Sequence, residues 1–162
     1  MNRDIVIEPM DRAAFGPFGD LLEAAGAADR IINQGLCGRW HDRAGIDIVD
    51  GRPGISLFRS EARSLPLALA MVERHPLGSQ AFLPMSFDPF LVVVAPDEGG
   101  KPGCPRAFRT QAGQGVNIGR NIWHGVLTPL HAPGLFAVID RIGDGANLEE
   151  YWFDQPFTVH DA

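Results

Sequence analysis

The feature that most constrains this chain is the even spread of its turn-forming residues, 19 glycines and 13 prolines among 162 residues. Glycine and proline interrupt helices and the interiors of strands, so they divide the chain into short segments. Many short strands separated by turn signals predict an all-β sandwich, jelly roll or barrel. The strand-like segments are residues 5–7, 54–59, 80–84, 90–95, 115–118, 122–126 and 135–140.

Helical patterns are few and short. We predict helices over residues 11–15, with Asp11 as the N-cap, over 65–71 and over 147–152. Segments 80–84 and 90–95 are expected to pair across a turn, and residues 96–105 are expected to form a long hairpin loop because their glycines and prolines cannot sustain a central strand. With no repeat or linker in the pattern, residues 1–162 are predicted to form a single domain.

Composition excludes several classes of function. A net charge of -6 argues against a nucleic-acid partner, which needs clustered cations. The longest apolar run, residues 90–95, is far shorter than the roughly 20 residues of a membrane span, and no signal-peptide pattern begins the chain. Cys37 and Cys104 lack metal or redox spacing, which predicts a cytoplasmic protein with free thiols. Lys101 is the one lysine and lies in a loop, so carboxylate binding falls to arginine.

Four polar residues form the pattern that carries chemistry. Glu73 and His75 are two apart, so both face the same side of an extended chain; Gln80 follows a turn, and His124 follows a distant glycine turn. The layout resembles the metal site of cupin barrels, with Glu73 where the first histidine stands and Gln80 where the glutamate stands. Glu73, His75 and His124 are predicted to bind a divalent ion such as Ni, Mn or Zn, without an organic cofactor. Gln80 suits hydrogen bonding to an amide-like substrate.

Each of these residues also has a plainer interpretation. A histidine in a strand is more often a packed core residue, and a glutamate on an edge strand is more often solvated. Four matches in four expected places favour a site. Arg59, Asp140 and Arg141 lie on strand-like segments and are candidates for substrate binding, with surface or dimer salt bridges as the alternative.

Longer phrases carry a resemblance to a known family. Residues 73–85 and 115–124 resemble the two signatures of the ureidoglycolate lyase family, with weaker echoes at 15–20, 32–35, 40–42 and 139–141. The resemblance implies a cupin fold, a homodimer, and cleavage of (S)-ureidoglycolate to glyoxylate and urea in allantoin and purine-nitrogen breakdown. Gly125 stands where relatives often carry a second histidine, so no paired histidine is expected there.

The chemistry of that reaction suggests roles for the candidates. Elimination needs a base for the hydroxyl proton and an acid for the leaving nitrogen, and histidine titrates in the right range. His124 or His75 is the expected base, with Glu73 orienting a histidine or sharing the metal. Gln80 would bind the ureido group, and Arg59 or Arg141 the carboxylate. The alternatives are another cupin enzyme such as an isomerase or dioxygenase, a non-catalytic cupin that binds small acids, and an amidohydrolase that releases ammonia.

Overall fold

The structure, a computed structural model, describes residues 3–162. The regular elements in this range are strands, except for one short α-helix and one 3-10 turn at Asn33–Gly35. The elements are β1 (Asp4–Val6), β2 (Glu8–Pro9), α1 (Arg12–Phe15), β3 (Gly19–Leu22), β4 (Arg30–Ile32), β5 (Cys37–Arg39), β6 (Arg52–Arg59), β7 (Leu67–Arg74), β8 (Gln80–Pro84), β9 (Phe90–Ala95), β10 (Arg106–Arg109), β11 (Gly115–Ile118), β12 (Trp123–His124), β13 (Thr128–Pro129), β14 (Leu135–Ile142) and β15 (Glu149–His160).

Two sheets build the fold. The larger has the order β1-β15-β7-β12-β9-β10-β2, with β13 joined to β9, and it curls until β1 contacts β10. The smaller has the order β3-β11-β8-β14-β6, and β4 and β5 form a separate hairpin. The nearly closed, all-β arrangement confirms the prediction of a cupin-like barrel.

Strand β9 shows how the sheets share the core. All six of its residues are buried, because its two faces pack against different clusters. Phe90, Val92 and Val94 face the first cluster, between the two sheets, where they meet Phe82 and Phe136 among others. The intervening residues of β9 face the second cluster, inside the curl of the larger sheet. Burial on both faces explains the unbroken apolar run.

The structure confirms some local predictions and corrects others. Asp11 caps α1, since its Oδ1 accepts a hydrogen bond from the Ala14 backbone N–H at 2.9 Å. Residues 96–105 form the predicted loop between the antiparallel strands β9 and β10. Strands β8 and β9, expected to pair, lie in different sheets.

Two helix predictions were wrong. Residues 65–71 lie mostly in β7 and residues 147–152 mostly in β15, and these two strands pair with each other. Both stretches contain good helix formers, but β15 carries the aromatic residues Tyr151, Trp152 and Phe153, which favour strands. Pairing and burial outweigh the small intrinsic helix propensities of such segments.

An irregularity in β7 matters for the site. Leu69 and Val72 both pack in the second cluster although they are three residues apart. The register between β7 and β15 shifts between Trp152 and Phe157, opposite this stretch. A bulge of this kind changes which face later residues occupy, so Glu73 does not share the face of Leu69. Among residues 3–162, no helix has the length and apolar character to cross a membrane.

Candidate active site

Strand register places the predicted site residues on the face between the sheets. His124 pairs with Val94 on one side and with Glu73 on the other, and paired residues share a face. Val94 belongs to the core between the sheets, so His124 and Glu73 face that core. On the other sheet, Gln80 lies two residues from Phe82, and Asp140 lies two residues from Val138. Residues two apart on a strand share a face, so Gln80 and Asp140 face the same core as Phe82 and Val138.

Glu73, His75 and His124 form a compact cluster. One ligand atom from each residue lies within 4.8 Å of the others. The two imidazole centroids are 5.2 Å apart, and His75 Nε2 is 3.9 Å from Glu73 Oε1. That distance is too long for a hydrogen bond. The three side chains therefore surround a small gap, and His75 and Glu73 do not hydrogen-bond to each other.

Hydrogen bonds set the tautomers of both histidines. His75 Nδ1 lies 2.7 Å from the Asn147 carbonyl oxygen, and His124 Nδ1 lies 2.9 Å from the Gly125 carbonyl oxygen. A carbonyl only accepts, so in the neutral form of each ring Nδ1 carries the proton and Nε2 keeps a free lone pair. Both Nε2 atoms are buried without a hydrogen-bond partner among the described residues. Two buried acceptors without donors are unusual and mark a place built for a proton, a ligand or an ion.

Burial shifts two of the pKa values. His124 is fully enclosed, and this desolvation, opposed by its bond to Gly125 and reinforced by His75, lowers the pKa of His124 to about 4. Burial also raises the pKa of Glu73, with attraction to His75 opposing the shift and repulsion from Glu150 adding to it. At neutral pH His124 is therefore uncharged, and Glu73 takes up a proton more readily than an ordinary glutamate.

Asn147, which was not among the predicted site residues, positions His75. The Asn147 carbonyl accepts from His75, and Asn147 Oδ1 accepts a 2.7 Å hydrogen bond from the Leu77 backbone N–H. The Asn121 backbone N–H also donates to the His75 carbonyl at 2.9 Å. No local sequence pattern marks Asn147, because it is far from His75 along the chain and lay inside a wrongly predicted helix.

Gln80 and Asp140 form a pair. Gln80 is buried, and its Nε2 donates to Asp140 Oδ2 at 3.1 Å. Because a carboxylate accepts only, this bond fixes the orientation of the Gln80 amide and leaves its Oε1 as the free end. That Oε1 is buried and has no hydrogen-bond partner among residues 3–162. It is therefore ready to accept from an N–H of a substrate.

The two predicted carboxylate-binding arginines face away from this space. Arg141 donates through Nε and Nη2 to the backbone carbonyls of Val49, Asp50 and Asp144. Arg59 is exposed and pairs with Leu135, five positions along β14 from Asp140 and so roughly 17 Å away along the strand. The structure brings neither side chain to the cluster.

Arg52 is a cation that the sequence interpretation did not single out. On β6 the exposed Ile55 and Leu57 alternate with Gly54, which pairs with Asp140. Arg52 Nη1 lies 3.7 Å from the place where a Cβ on Gly54 would stand. No carboxylate within the described residues forms a salt bridge with Arg52, whose Nη1 donates to the Pro53 carbonyl at 3.3 Å.

A neighbouring segment closes the turn between His75 and Gln80. Ile48 forms a bridge with Gly78, the Val49 N–H donates to the Leu77 carbonyl at 2.8 Å, and the Ser79 N–H donates to the Asp47 carbonyl at 2.8 Å. Arg141 anchors the far end of this segment through its bonds to carbonyls 49 and 50. Arg141 is thus a support for the turn that carries the site.

The cluster has the chemistry of a divalent metal site. Two imidazole Nε2 atoms and one carboxylate suit Ni, Mn or Zn, and Nδ1–H bonds to carbonyls are the usual support for such ligands. The orphaned lone pairs fit the ion.

These features define a class: a cupin-like β-barrel with an enzyme-type site of two imidazoles and a carboxylate. A model of the family described as ureidoglycolate lyase matches residues 2–160. The chain belongs to the ureidoglycolate lyase family.

Full-length relatives agree with this assignment. Ureidoglycolate lyase of Rhodobacter capsulatus is 60% identical over 156 residues, covering 96% of this chain and 97% of that protein. Ureidoglycolate lyase 2 of Rhizobium meliloti is 53% identical over 158 residues, covering 96% and 97%. Ureidoglycolate lyase of a Chelativorans species is 51% identical over 160 residues, covering 98% and 97%.

Proposed function

We propose that this protein is a carbon–nitrogen lyase that cleaves (S)-ureidoglycolate to glyoxylate and urea. The observation that carries the proposal is the convergence of two buried Nε2 atoms without hydrogen-bond partners and a carboxyl group of raised pKa at one place. These are the groups that an elimination needs, and family membership supplies the substrate.

The proton steps follow from Glu73 and His124, whose pKa values are shifted, and from His75. His75 Nε2 takes the hydroxyl proton, the carbon–oxygen double bond forms, and the carbon–nitrogen bond breaks with its electron pair moving to nitrogen. Glu73 gives a proton to that nitrogen, and its raised pKa supports this role. His75 then returns the proton to Glu73 through one bridging water, because the 3.9 Å between Nε2 and Oε1 is too long for direct transfer, and the starting state is restored. His124 stays neutral and accepts a hydrogen bond through Nε2.

Substrate binding is assigned to the opposite sheet. Gln80 Oε1 accepts from the ureido N–H groups, with Asp140 fixing the amide. For the carboxylate, Arg59 and Arg141 stay predictions, and the inward side of β6 supports Arg52 as a third candidate. An arginine fork suits a carboxylate because it can donate two parallel hydrogen bonds.

Glu73, His75 and His124 would also hold a divalent ion such as nickel, manganese or zinc. Bound there, such an ion would polarise the substrate hydroxyl and lower its pKa. A given Nε2 lone pair either takes a proton or binds an ion. Exhaustive dialysis against a chelator therefore separates the roles: retained turnover supports proton transfer by His75, whereas loss with recovery on adding one of the three metals supports ligation.

The reaction is tested by its products. Purified protein is incubated with (S)-ureidoglycolate, and urea, glyoxylate and ammonia are measured, with the (R) enantiomer as control. Equal amounts of urea and glyoxylate are expected. Ammonia in place of urea would support the amidohydrolase, and binding without products would support the non-catalytic alternative; either result overturns the lyase proposal.

Three further proposals accompany the activity. We propose that residues 1–162 form one domain, since a single family model spans residues 2–160. A homodimer is proposed from the family resemblance. A cytoplasmic role in allantoin and purine-nitrogen breakdown fits the free thiols of Cys37 and Cys104, which are typical of a reducing compartment.

A further inference from the structure

Two residues without a role in the proton steps stand directly beside the site residues in the chain. Arg74 lies between Glu73 and His75, and it is the last residue of β7. Trp123 immediately precedes His124 on β12. Neighbouring residues of a strand point to opposite faces of the sheet, so Arg74 and Trp123 lie behind the three site residues. Trp123 accordingly packs in the second cluster, inside the curl of the larger sheet.

Arg74 and Trp123 contact each other on this reverse face. The guanidinium carbon of Arg74 lies 4.4 Å from the centre of the Trp123 ring, which is the geometry of a cation–π contact. Trp123 is 2% exposed, and the Arg74 side chain is 13% exposed. An indole N–H and a guanidinium this well buried need hydrogen-bond acceptors close by.

One carboxylate supplies an acceptor to both side chains. Asp97 Oδ1 accepts a hydrogen bond from Trp123 Nε1 at 2.8 Å and another from Arg74 Nη1 at 2.8 Å. Asp97 lies two residues beyond Ala95, the partner of Trp123 in the sheet, and this places the carboxylate beside the indole. Asp97 Oδ2 accepts from the Gly100 backbone N–H at 3.2 Å. Asp97 therefore connects β7, β12 and its own hairpin loop.

The same contacts keep Asp97 in its charged form. The hydrogen bonds from Trp123 and Gly100 and the positive charge of Arg74 lower the pKa of Asp97, with the Trp123 bond as the largest cause. Arg74 has a second acceptor, because its Nε donates to Glu149 on β15. Glu149 does not reach the indole, so among the described residues the bridge between Arg74 and Trp123 depends on Asp97.

We propose that Asp97 is a positioning residue for the reaction, because it holds Arg74 and Trp123 together and so fixes β7 against β12. β12 consists of two residues and meets β7 at the pair of His124 with Glu73. So short a strand has little backbone pairing to fix its place, and the side-chain bridge adds to it. This role rests on the proposed lyase activity, since it adds a residue to that same site.

The main test is Asp97→Ala, which removes both bridging bonds. Asp97 is 37% exposed, so water can take its place and the variant should fold. We expect kcat for urea formation to fall about tenfold, because a small misplacement of reacting groups can cost up to ~10²-fold. KM should change less than about twofold, since Gln80 binds the substrate from the other sheet. The control is Asp161→Ala, which removes a 2.7 Å ion pair with Arg109 and should retain wild-type kcat.

Two further variants show which bond matters. Asp97→Asn keeps an acceptor oxygen in place and should recover part of the lost turnover. Trp123→Phe keeps a ring for Arg74 and removes the indole N–H, so kcat should fall several-fold. The double variant, Asp97→Ala with Trp123→Phe, should be little slower than Asp97→Ala alone, because both changes break the same bond. Losses that multiply in full would contradict the bridge.

A spectroscopic measurement separates this role from the lyase activity. In isotope-labelled protein with chelator present, Asp97→Ala should shift the NMR signals of the His75 and His124 ring nitrogens and speed hydrogen exchange of the Trp123 indole N–H. Asp161→Ala should change neither.

The outcomes are distinct. Wild-type kcat in a folded Asp97→Ala overturns the positioning role, whatever the change in melting temperature. If wild type releases no urea, the lyase proposal fails and the imidazole signals decide: shifted signals support Asp97, and unchanged signals overturn its role. If Asp97→Ala does not fold, the isosteric Asp97→Asn is judged by the same measurements.

Discussion

The two histidines of the site are placed by different means. His124 lies on β12, where pairing with Val94 and Glu73 fixes its face, and it is fully enclosed. His75 lies just past the end of β7 and is fixed by Asn147, which arrives from the loop before β15. The strand ladder gives His124 a rigid, desolvated position, whereas a loop contact gives His75 a more accessible and more easily disturbed one. The difference predicts that the two residues respond differently to mutation and to pH.

The largest expected effect is on His124. His124→Ala should lower turnover about a hundredfold, because it removes the buried Nε2 that accepts a hydrogen bond from the substrate and leaves a cavity between Glu73 and Val94. The measurement is the rate of urea formation at saturating substrate. His131→Ala, on a loop outside the cluster, is the matched control and should retain full turnover. Equal turnover in both variants would remove His124 from the mechanism.

The pH dependence of stability should also single out His124. Its pKa is lowered from 6.5 to about 4 in the folded state, so below pH 6.5 the unfolded chain takes up the proton first. Stability from this source is complete above pH 6.5 and is lost as the pH falls towards 4, amounting to about 3 kcal/mol. The free energy of unfolding is measured from pH 7 to 4 with chelator present. His124→Gln should show a flatter decline than wild type; parallel curves would contradict the buried neutral imidazole.

A smaller effect is expected at Asn147. Asn147→Ala removes the acceptor for the Leu77 N–H and loosens the loop that supplies the carbonyl for His75, so turnover should fall about tenfold, in the range seen for groups that support ligands. Asn147→Asp keeps an acceptor and should recover most of the loss. If Asp and Ala behave alike while both stay folded, the side-chain bond to Leu77 does not position the site.

The smallest effect is expected in substrate binding at Gln80. In the Asp140→Asn variant the new side-chain amide can present its NH2 group to Gln80 Nε2. The hydrogen bond then no longer fixes the orientation of the Gln80 amide. KM for ureidoglycolate should rise several-fold with kcat little changed, because one hydrogen bond contributes about 1 kcal/mol. Asp154→Asn, the same charge change at an exposed position on β15, is the control for altered net charge. An effect on kcat alone would place Asp140 in the chemical step.

Sequence reasoning predicted the features that strand periodicity encodes. The alternation around Gln80, the apolar run of β9 and the spacing of Glu73, His75 and His124 predicted the barrel, and the structure brings the three residues together. Sequence reasoning did not predict the features that depend on pairing between distant segments of the chain. Asn147 was assigned to a helix, because the pairing of β15 with β7 is set by residues far apart in sequence.

The arginines illustrate the same limit. Arg59 and Arg141 were chosen because they stand on strand-like segments, yet facing depends on register, and both side chains point away from the space between the sheets. Gly54 and the fold-back of Arg52 over it become visible only once β6 is aligned with Asp140 on β14. Glu73 depends in addition on the irregularity in β7, which no alternation pattern contains.

The central claim is that Glu73, His75 and His124 act as one centre. The most direct measurement is the rate of urea formation from (S)-ureidoglycolate by wild type, Glu73→Ala, His75→Ala and the double variant. Groups that act as a unit lose most of the rate in either single variant, so the account predicts a double variant little slower than the slower single one. Losses that multiply in full would mean that Glu73 and His75 act independently, and this would contradict the shared centre.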